Sequence, residues 1–83
     1  MALIIPPLAA AQMAAMPRAD AKRLLLRLQG IAGNPAASHA GVRPLVGLPG
    51  VFRVRQGDWR AVYAVEDGDV VVDRVAHRRE VYR

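Results

Sequence analysis

Hydrophobic and polar residues alternate most regularly between Val51 and Val75. Two residue pairs, Gly57-Asp58 and Asp67-Gly68, interrupt this alternation where two-residue β-hairpin turns would lie. An Asp-Gly pair favours such a turn because both of its central positions need a positive φ. The pattern therefore predicts three β-strands joined by two tight hairpins.

The residues before this stretch predict a short strand and two helices. Ala2–Ile5 is apolar and ends at a proline pair, whose second member, Pro7, suits the first turn of a helix that continues to Met16. A second helix is predicted to start at Asp20, as its N-cap, and to end at Gly33. Apolar residues recur along this second helix at helical spacing, namely Ala21, Leu24, Leu25, Leu28, Ile31 and Ala32.

This order of elements predicts an α+β fold. A short N-terminal strand and a helical hairpin precede a twisted antiparallel meander, and the glycine- and proline-containing stretch of residues 34–50 between them is predicted to be irregular. Two helices can cover one face of such a sheet and leave the other open. Because 83 residues suffice for one small core, we expect residues 1–83 to form a single domain.

The first hairpin gathers arginines on one face of the sheet. Counting across a two-residue turn places Arg55 opposite Arg60 and Arg53 opposite Val62. Residues directly opposite each other share a face, so all three arginines are expected to point the same way. Like charges in opposite positions are destabilising. The pattern therefore predicts a cationic face that holds an anion, the alternative being a solvated face on which the arginines cluster by chance.

The register of the second hairpin follows from the same counting. It pairs Val65 with Val70 and Ala61 with Arg74. Arg74 would then lie on the apolar face, where its guanidinium must reach the rim to stay hydrated. The residues of the third strand that this register places on the arginine face are Val71, Asp73, Val75 and His77.

Composition and charge narrow the class of partner. The formal net charge is +5, and eleven of the twelve basic residues are arginine, whose planar fork matches phosphate and carboxylate groups. A nucleic acid or an acidic protein is therefore the expected partner. The chain has no cysteine, which excludes disulfides and cysteine-based zinc sites and agrees with a cytoplasmic protein.

The uncharged segment from Met1 to Met16 could be mistaken for a secretory signal. Such a signal has basic residues before its apolar core, whereas the first basic residue here, Arg18, follows it. The segment is also interrupted by prolines and is too short to span a bilayer. We therefore expect it to be part of the fold and expect no membrane association.

A series of short motifs runs from Leu45 to the last residue, Arg83. The motifs are Leu-x-Gly-Leu-Pro-Gly-x-Phe-Arg-x-Arg, ending at Arg55, then Gly-Asp-Trp-Arg-x-x-Tyr, ending at Tyr63, and His-Arg-Arg-Glu-Val-Tyr, ending at Tyr82. Each motif alone is weak. Together, in this order and spacing, they resemble the RelE/ParE toxins of bacterial toxin–antitoxin pairs, and RelE more closely.

The resemblance implies a microbial-RNase-like α+β fold and a function. RelE toxins are ribosome-dependent endoribonucleases that cut mRNA in the A site, by attack of a ribose 2′-hydroxyl on the adjacent phosphate, without a cofactor or metal. The implied partners are the ribosome, mRNA and an acidic RelB-like antitoxin, with a toxin–antitoxin heterotetramer on operator DNA. Two alternatives remain open: a ParE-type poison of DNA gyrase, and a catalytically weak relic that binds an acidic antitoxin.

The resemblance also assigns site residues by position. The two basic positions of the second strand of the family correspond to Arg53 and Arg55, the strand-three arginine to Arg60, and the C-terminal arginine and tyrosine to Arg78 and Tyr82. Arginine can stabilise the charge of a pentacoordinate phosphate. Because it stays protonated in proteins, it cannot act as a general base.

A further group must therefore move protons. Some RelE toxins have lysines where this chain has Arg53 and Arg55, so the base or acid is expected to be His77, Tyr82 or Glu80. His77 is the first candidate because histidine exchanges protons near neutral pH. Tyr82 is expected either to stack on a base or to donate a proton to the leaving oxygen.

Overall fold

Two helices cover one face of a five-stranded sheet in the structure, a computed structural model that describes residues 2–80. The α+β fold with both helices on one face of the sheet is thus confirmed. The elements in chain order are β1 (Leu3–Ile4), α1 (Pro7–Ala14), α2 (Arg18–Gly33), β2 (Val42–Pro44), β3 (Val51–Gln56), β4 (Trp59–Glu66) and β5 (Asp69–His77).

The strands lie in the order β1-β5-β4-β3-β2. Strands β2 to β5 form the antiparallel part, and β1 pairs in parallel with β5, with Leu3 opposite Val70, so the sheet is mixed. Strand β2 lies in the stretch that was predicted to be irregular. Its three residues are too few to show alternation, and Pro44 is tolerated because β2 is an edge strand.

The start of α2 differs from its prediction. The helix begins at Arg18 after Pro17, so Asp20 lies in the first turn and is not the N-cap. Its carboxylate instead accepts a hydrogen bond from the indole nitrogen of Trp59 at 3.3 Å and pairs with Arg23 at 3.2 Å. A negative charge near a helix N-terminus is favourable, and the bond to Trp59 joins α2 to β4.

The hydrophobic core lies between the helices and the covered face of the sheet. The apolar stripe predicted for α2 is buried at Leu24, Leu28 and Ile31, whereas Leu26, which is off the stripe, is 59% exposed. Burial raises the pKa of the Tyr63 phenol above its usual value, an effect that the positive charge of Arg27 partly offsets. The sheet residues in the core are Val54, Ala61, Tyr63, Val70, Val72 and Val75.

Both hairpin turns have the predicted length. Asp67 and Gly68 have φ values of 52° and 83°, as a two-residue turn with two left-handed positions requires, and Gly57 has a φ of 60°. The register of the first hairpin is also confirmed: Arg55 lies opposite Arg60, and Arg53 opposite Val62.

The register of the second hairpin is correct only near its turn. Val65 pairs with Val70 as predicted, but a β-bulge then follows, since Tyr63 pairs with Val72 while Val62 pairs with Arg74. Asp73 is therefore the extra residue of β5. A single inserted residue reverses which side chains face which side of a sheet.

The predictions for β5 beyond the bulge are consequently wrong. Arg74 shares a face with Val62, and Val75, opposite Ala61, is buried in the core. His77 lies opposite Trp59 on the covered face, not on the arginine face. The predictions for Val71, which precedes the bulge, and for Asp73, which is the bulge residue, are correct.

No helix within residues 2–80 is long and apolar enough to cross a membrane.

The packing of α2 predicts a contrast between two leucines. Replacing the buried Leu28 by alanine leaves a cavity in the core and should lower the free energy of unfolding by about 2–5 kcal/mol. The matched change Leu26→Ala, at an exposed position of the same helix, should change it by less than about 0.5 kcal/mol. Urea denaturation monitored by circular dichroism measures both, and equal losses would contradict this assignment of the core.

Candidate functional site

The sheet face that the helices leave uncovered, here called the open face, carries side chains in rows across the strands, and three of these rows surround the arginines. The row nearest the β3–β4 turn contains Arg55, Arg60 and Ala76, and the next contains Arg43, Arg53, Val62 and Arg74. The third row is apolar and contains Val51, Ala64, Val71 and Ile4.

Four arginines from three neighbouring strands line one depression on this face. Arg43, Arg53, Arg55 and Arg60, here called the arginine cradle, surround a cavity of about 190 Å³ together with Gly41 and Val42. Sequence reasoning predicted that Arg53, Arg55 and Arg60 share this face, and the structure brings them together. Sequence reasoning missed Arg43, because the segment that forms β2 was predicted to be irregular and an irregular segment has no defined register.

Backbone contacts hold the guanidinium of Arg60 in place. The Nη1 atom of Arg60 donates hydrogen bonds to the carbonyl oxygens of Gly57 at 2.8 Å and of Trp59 at 2.9 Å, which hold its guanidinium at the hairpin turn. Val62, 6% exposed, lies beside the arginines and presents an apolar surface. Electrostatic attraction to an anion is stronger next to such a surface than in bulk water.

Gly41 brings the chain close to β3 immediately before Arg43. Its φ is 74°, and a Cβ atom at this position would lie 3.2 Å from the carbonyl oxygen of Arg55. The Gly41 carbonyl accepts a hydrogen bond from the Arg55 N–H at 3.0 Å, and the guanidinium of Arg27 on α2 donates to the carbonyl of Ala40. These contacts position β2, and with it Arg43, at the edge of the cradle.

Arg78 lies beside the turn that carries Arg60. Its N–H donates to the carbonyl oxygen of Asp58 at 2.7 Å, and its Nε lies 3.7 Å from a carboxylate oxygen of the same residue. Both side chains are more than half exposed, so this ion pair adds little stability. Arg78 is thus held beside the turn that carries Arg60 and does not line the cradle.

The predicted proton-transfer residues are not gathered at the cradle. The ring of His77 contacts that of Trp59 edge to face, with 5.5 Å between ring centroids, and lies on the other side of the sheet from the arginines. Glu80 is exposed, and its N–H donates to the carbonyl of His77 at 2.8 Å. Tyr82 lies outside the described residues.

Arg74 is a residue of the open face that sequence reasoning placed wrongly. Its Nη2 donates to the carbonyl oxygen of Glu80 at 3.3 Å. The sequence held one signal of this error, since the regular register placed the charged Arg74 on the apolar face, but nothing in the sequence located a bulge at Asp73. Residues 2–80 contain no group of three or more His, Asp or Glu side chains placed to hold a metal ion.

Comparison with known proteins gives one family match. The family described as "ParE toxin of type II toxin–antitoxin system, parDE" matches residues 3–82, nearly the whole chain. A sequence comparison with curated proteins gives no match.

Several solved structures have the same fold. The isolated E. coli RelE toxin is 24% identical, with a TM-score of 0.78, and the match covers 96% of this chain and 88% of RelE. The RelB–RelE antitoxin–toxin complex from Methanococcus jannaschii has a chain that is 18% identical, with a TM-score of 0.80. The match covers 95% of this chain and 94% of that one. The YoeB dimer from Staphylococcus aureus has a chain that is 20% identical, with a TM-score of 0.75, and the match covers 93% of this chain and 95% of the YoeB chain. At these identities the likeness establishes the fold.

The inclusion of Arg43 in the cradle predicts an effect on anion binding. Arg43→Gln should weaken binding of a short single-stranded RNA, used as a polyphosphate probe. If Arg43 contacts one phosphate, the variant should also lower the slope of log affinity against log salt by about 0.7. Fluorescence anisotropy across a salt series measures both quantities.

The control for this experiment is Arg18→Gln, which removes the same charge at the exposed start of α2. It should leave the salt slope nearly unchanged. If the two variants weakened binding equally, only net charge would matter and the cradle would not be the anion site.

Proposed function

The chain belongs to the ParE toxin family of type II toxin–antitoxin systems, within the RelE/ParE superfamily, and from this premise we propose that it inhibits translation by cutting mRNA on the ribosome. The observation that carries the proposal is the arginine cradle, a depression of about 190 Å³ lined by four guanidinium groups on the open face. A cavity with this lining suits a phosphate group of an RNA strand.

The cradle suits the charge that develops during phosphodiester cleavage. Attack of a ribose 2′-hydroxyl on the adjacent phosphate forms a pentacoordinate phosphorane with additional negative charge. Fixed guanidinium groups stabilise such a state more than they stabilise the substrate, because no reorganisation is needed as the charge appears. We assign this role to Arg53, Arg55 and Arg60, with Arg78 approaching from the adjacent turn.

Proton transfer needs another group, since the arginines stay protonated. His77 was the first candidate from the sequence, but its ring packs against Trp59 on the covered side of the sheet. We therefore propose Tyr82 and Glu80 ahead of His77 as donors or acceptors of protons for the 2′-hydroxyl and the leaving 5′-oxygen. No cofactor or metal is part of this proposal.

The proposed partners follow from the charge of the open face and from the fold relatives. RelE occurs with RelB in the complexes from Methanococcus jannaschii and E. coli. By analogy we propose that an acidic antitoxin binds this chain and masks its cationic face, and that the pair forms a heterotetramer on operator DNA. We further propose that residues 1–83 act as a single domain in the cytoplasm.

A ParE-type poison of DNA gyrase is the second candidate function. Two observations favour it: the family match is to ParE toxins, and His77 is not at the cradle. One scaffold can support both activities, so the fold does not discriminate between them. Induced expression discriminates, because loss of protein synthesis is expected of an mRNA-cutting toxin, and DNA damage with filamentation of a gyrase poison.

The proposal predicts a large effect of one arginine on RNA cleavage. Purified protein added to translating ribosomes should cut mRNA within A-site codons. Arg60→Ala should slow cutting by about 100- to 1,000-fold, the typical cost of removing one fixed donor to a developing anion. Primer extension on the mRNA measures the sites and rates of cutting.

Arg18→Ala serves as the control, because it removes an exposed arginine of α2 away from the cradle, and it should cut at the wild-type rate. Intact mRNA in the presence of folded, antitoxin-free wild-type protein would contradict the proposal. Gyrase–DNA cleavage complexes under the same conditions would support the second candidate.

A further inference from the structure

A second depression lies on the open face, beside the arginine cradle. It has a volume of about 410 Å³ and is here called the base pocket. Five of its seven lining residues are apolar and come from the loop before β3, from β3 and from β4, while the other two are charged and come from the bulge of β5. The lining residues are Leu45, Leu48, Val51, Val62, Ala64, Asp73 and Arg74.

The lining has the two kinds of surface that a nucleobase presents. The flat faces of a base are apolar and pack against hydrophobic side chains, here Leu48, which is 53% exposed, and the half-buried Val51 and Ala64. The rim of a base carries hydrogen-bond donors and partly negative acceptors, which the carboxylate of Asp73 and the positive charge of Arg74 complement. The lining thus offers apolar groups to the faces of a base and charged groups to its edge.

The base pocket and the cradle are adjacent through two strand positions. Val62, which belongs to the pocket, lies directly opposite Arg53, which belongs to the cradle. Val51 precedes Arg53 by two residues on the same face of β3, a separation of about 7 Å along a strand. A phosphate in the cradle and a base in the pocket would therefore be separated by roughly the width of one ribose.

The carboxylate of Asp73 needs an explanation of its own. It is exposed on a face where the neighbouring row contributes Arg43 and Arg53. A carboxylate there repels the phosphates that the arginines attract, so it weakens binding of an RNA backbone unless it contacts something else. Such a group contributes to specificity when the correct partner supplies donors to it and a wrong partner does not.

We propose that this pocket binds one base of the RNA strand whose phosphate occupies the cradle, and that it selects guanine. The carboxylate of Asp73 accepts hydrogen bonds from the adjacent N1–H and N2–H groups of guanine, a pair of donors that no other RNA base presents side by side. The positive charge of Arg74, whose guanidinium donates to the Glu80 carbonyl beside the pocket, favours the partly negative O6. This inference rests on the proposed action on RNA and adds the base that the site would prefer.

The bulge explains how both polar groups reach one edge of the pocket. In a regular strand, consecutive residues point to opposite faces. At a bulge two residues of one strand oppose a single residue of its neighbour, so Asp73 and Arg74 can both lie on the side of Val62. A feature that breaks the alternation of β5 thus brings a carboxylate and a positive charge to the same pocket.

Binding without ribosomes tests the pocket separately from cleavage. Three five-nucleotide RNA strands serve as probes: one is abasic throughout, and the other two carry a single central base, guanine or adenine. Fluorescence anisotropy measures the affinity of the protein for each strand. Wild-type protein should bind the guanine strand about tenfold more tightly than the abasic one, and more tightly than the adenine one. Asp73→Asn should bring the affinities for guanine and adenine within about twofold of each other.

A matched pair of variants tests the apolar wall. Leu48→Ala should weaken binding of the guanine strand about threefold and leave binding of the abasic strand unchanged. Val46→Ala is the control, because Val46 is fully exposed two residues earlier in the same loop and does not line the pocket. It should bind both strands as the wild type does.

Three results would overturn the inference. Equal affinity of the wild type for guanine and abasic strands would show that the pocket does not bind a base, and would leave the assignment of the cradle as the phosphate site unaffected. Equal weakening of both strands by Leu48→Ala would show that the loop acts only through the backbone. If Leu48→Ala lowered affinity for the antitoxin but not for the guanine strand, the pocket would be a protein-binding surface. Failure of the proposed cleavage would appear separately, as uncut mRNA on ribosomes.

Discussion

The alternation of side chains in the β3–β4 hairpin is the constraint on which the rest of the structure depends. Val54, Ala61 and Tyr63 are buried against the helices, and this burial leaves only one register for the pair of strands. Their neighbours along each strand must then point to the open face. The arginines are held together by the packing of apolar residues on the opposite side of the sheet, and that packing offsets the repulsion between Arg55 and Arg60.

The bulge at Asp73 divides the sheet into a part in which the alternation of the sequence predicts where side chains point and a part in which it does not. On the β3 side, every side chain lies where simple alternation places it. On the β5 side beyond the bulge, Arg74 moves to the open face and His77 to the covered one. The open face thereby gains a guanidinium and lacks the imidazole, so it can bind and polarise a phosphate more readily than it can exchange a proton.

The open face changes character along the strands. Arginines dominate the end nearest the Gly57 turn, aliphatic side chains the middle, and Glu66 and Asp69 pair at the end nearest the Asp67 turn. A single strand of RNA has a matching composition, with charged phosphates on one side and apolar base faces on the other. The proposed acidic antitoxin would compete with the proposed RNA for the arginine end.

The sequence by itself determined the helices, both turns, the register of β3 with β4 and the shared face of Arg53, Arg55 and Arg60, because these depend on contacts between residues close together in the chain. Only the tertiary structure decided the pairing of β2 that adds Arg43, and the bulge that exchanges Arg74 for His77. An edge strand of three residues is too short for the alternation of hydrophobic and polar residues to predict it. A bulge depends on how β5 fits between β4 and α1, where Gln12 accepts a hydrogen bond from the Val75 N–H at 2.7 Å, and local spacing does not encode that fit.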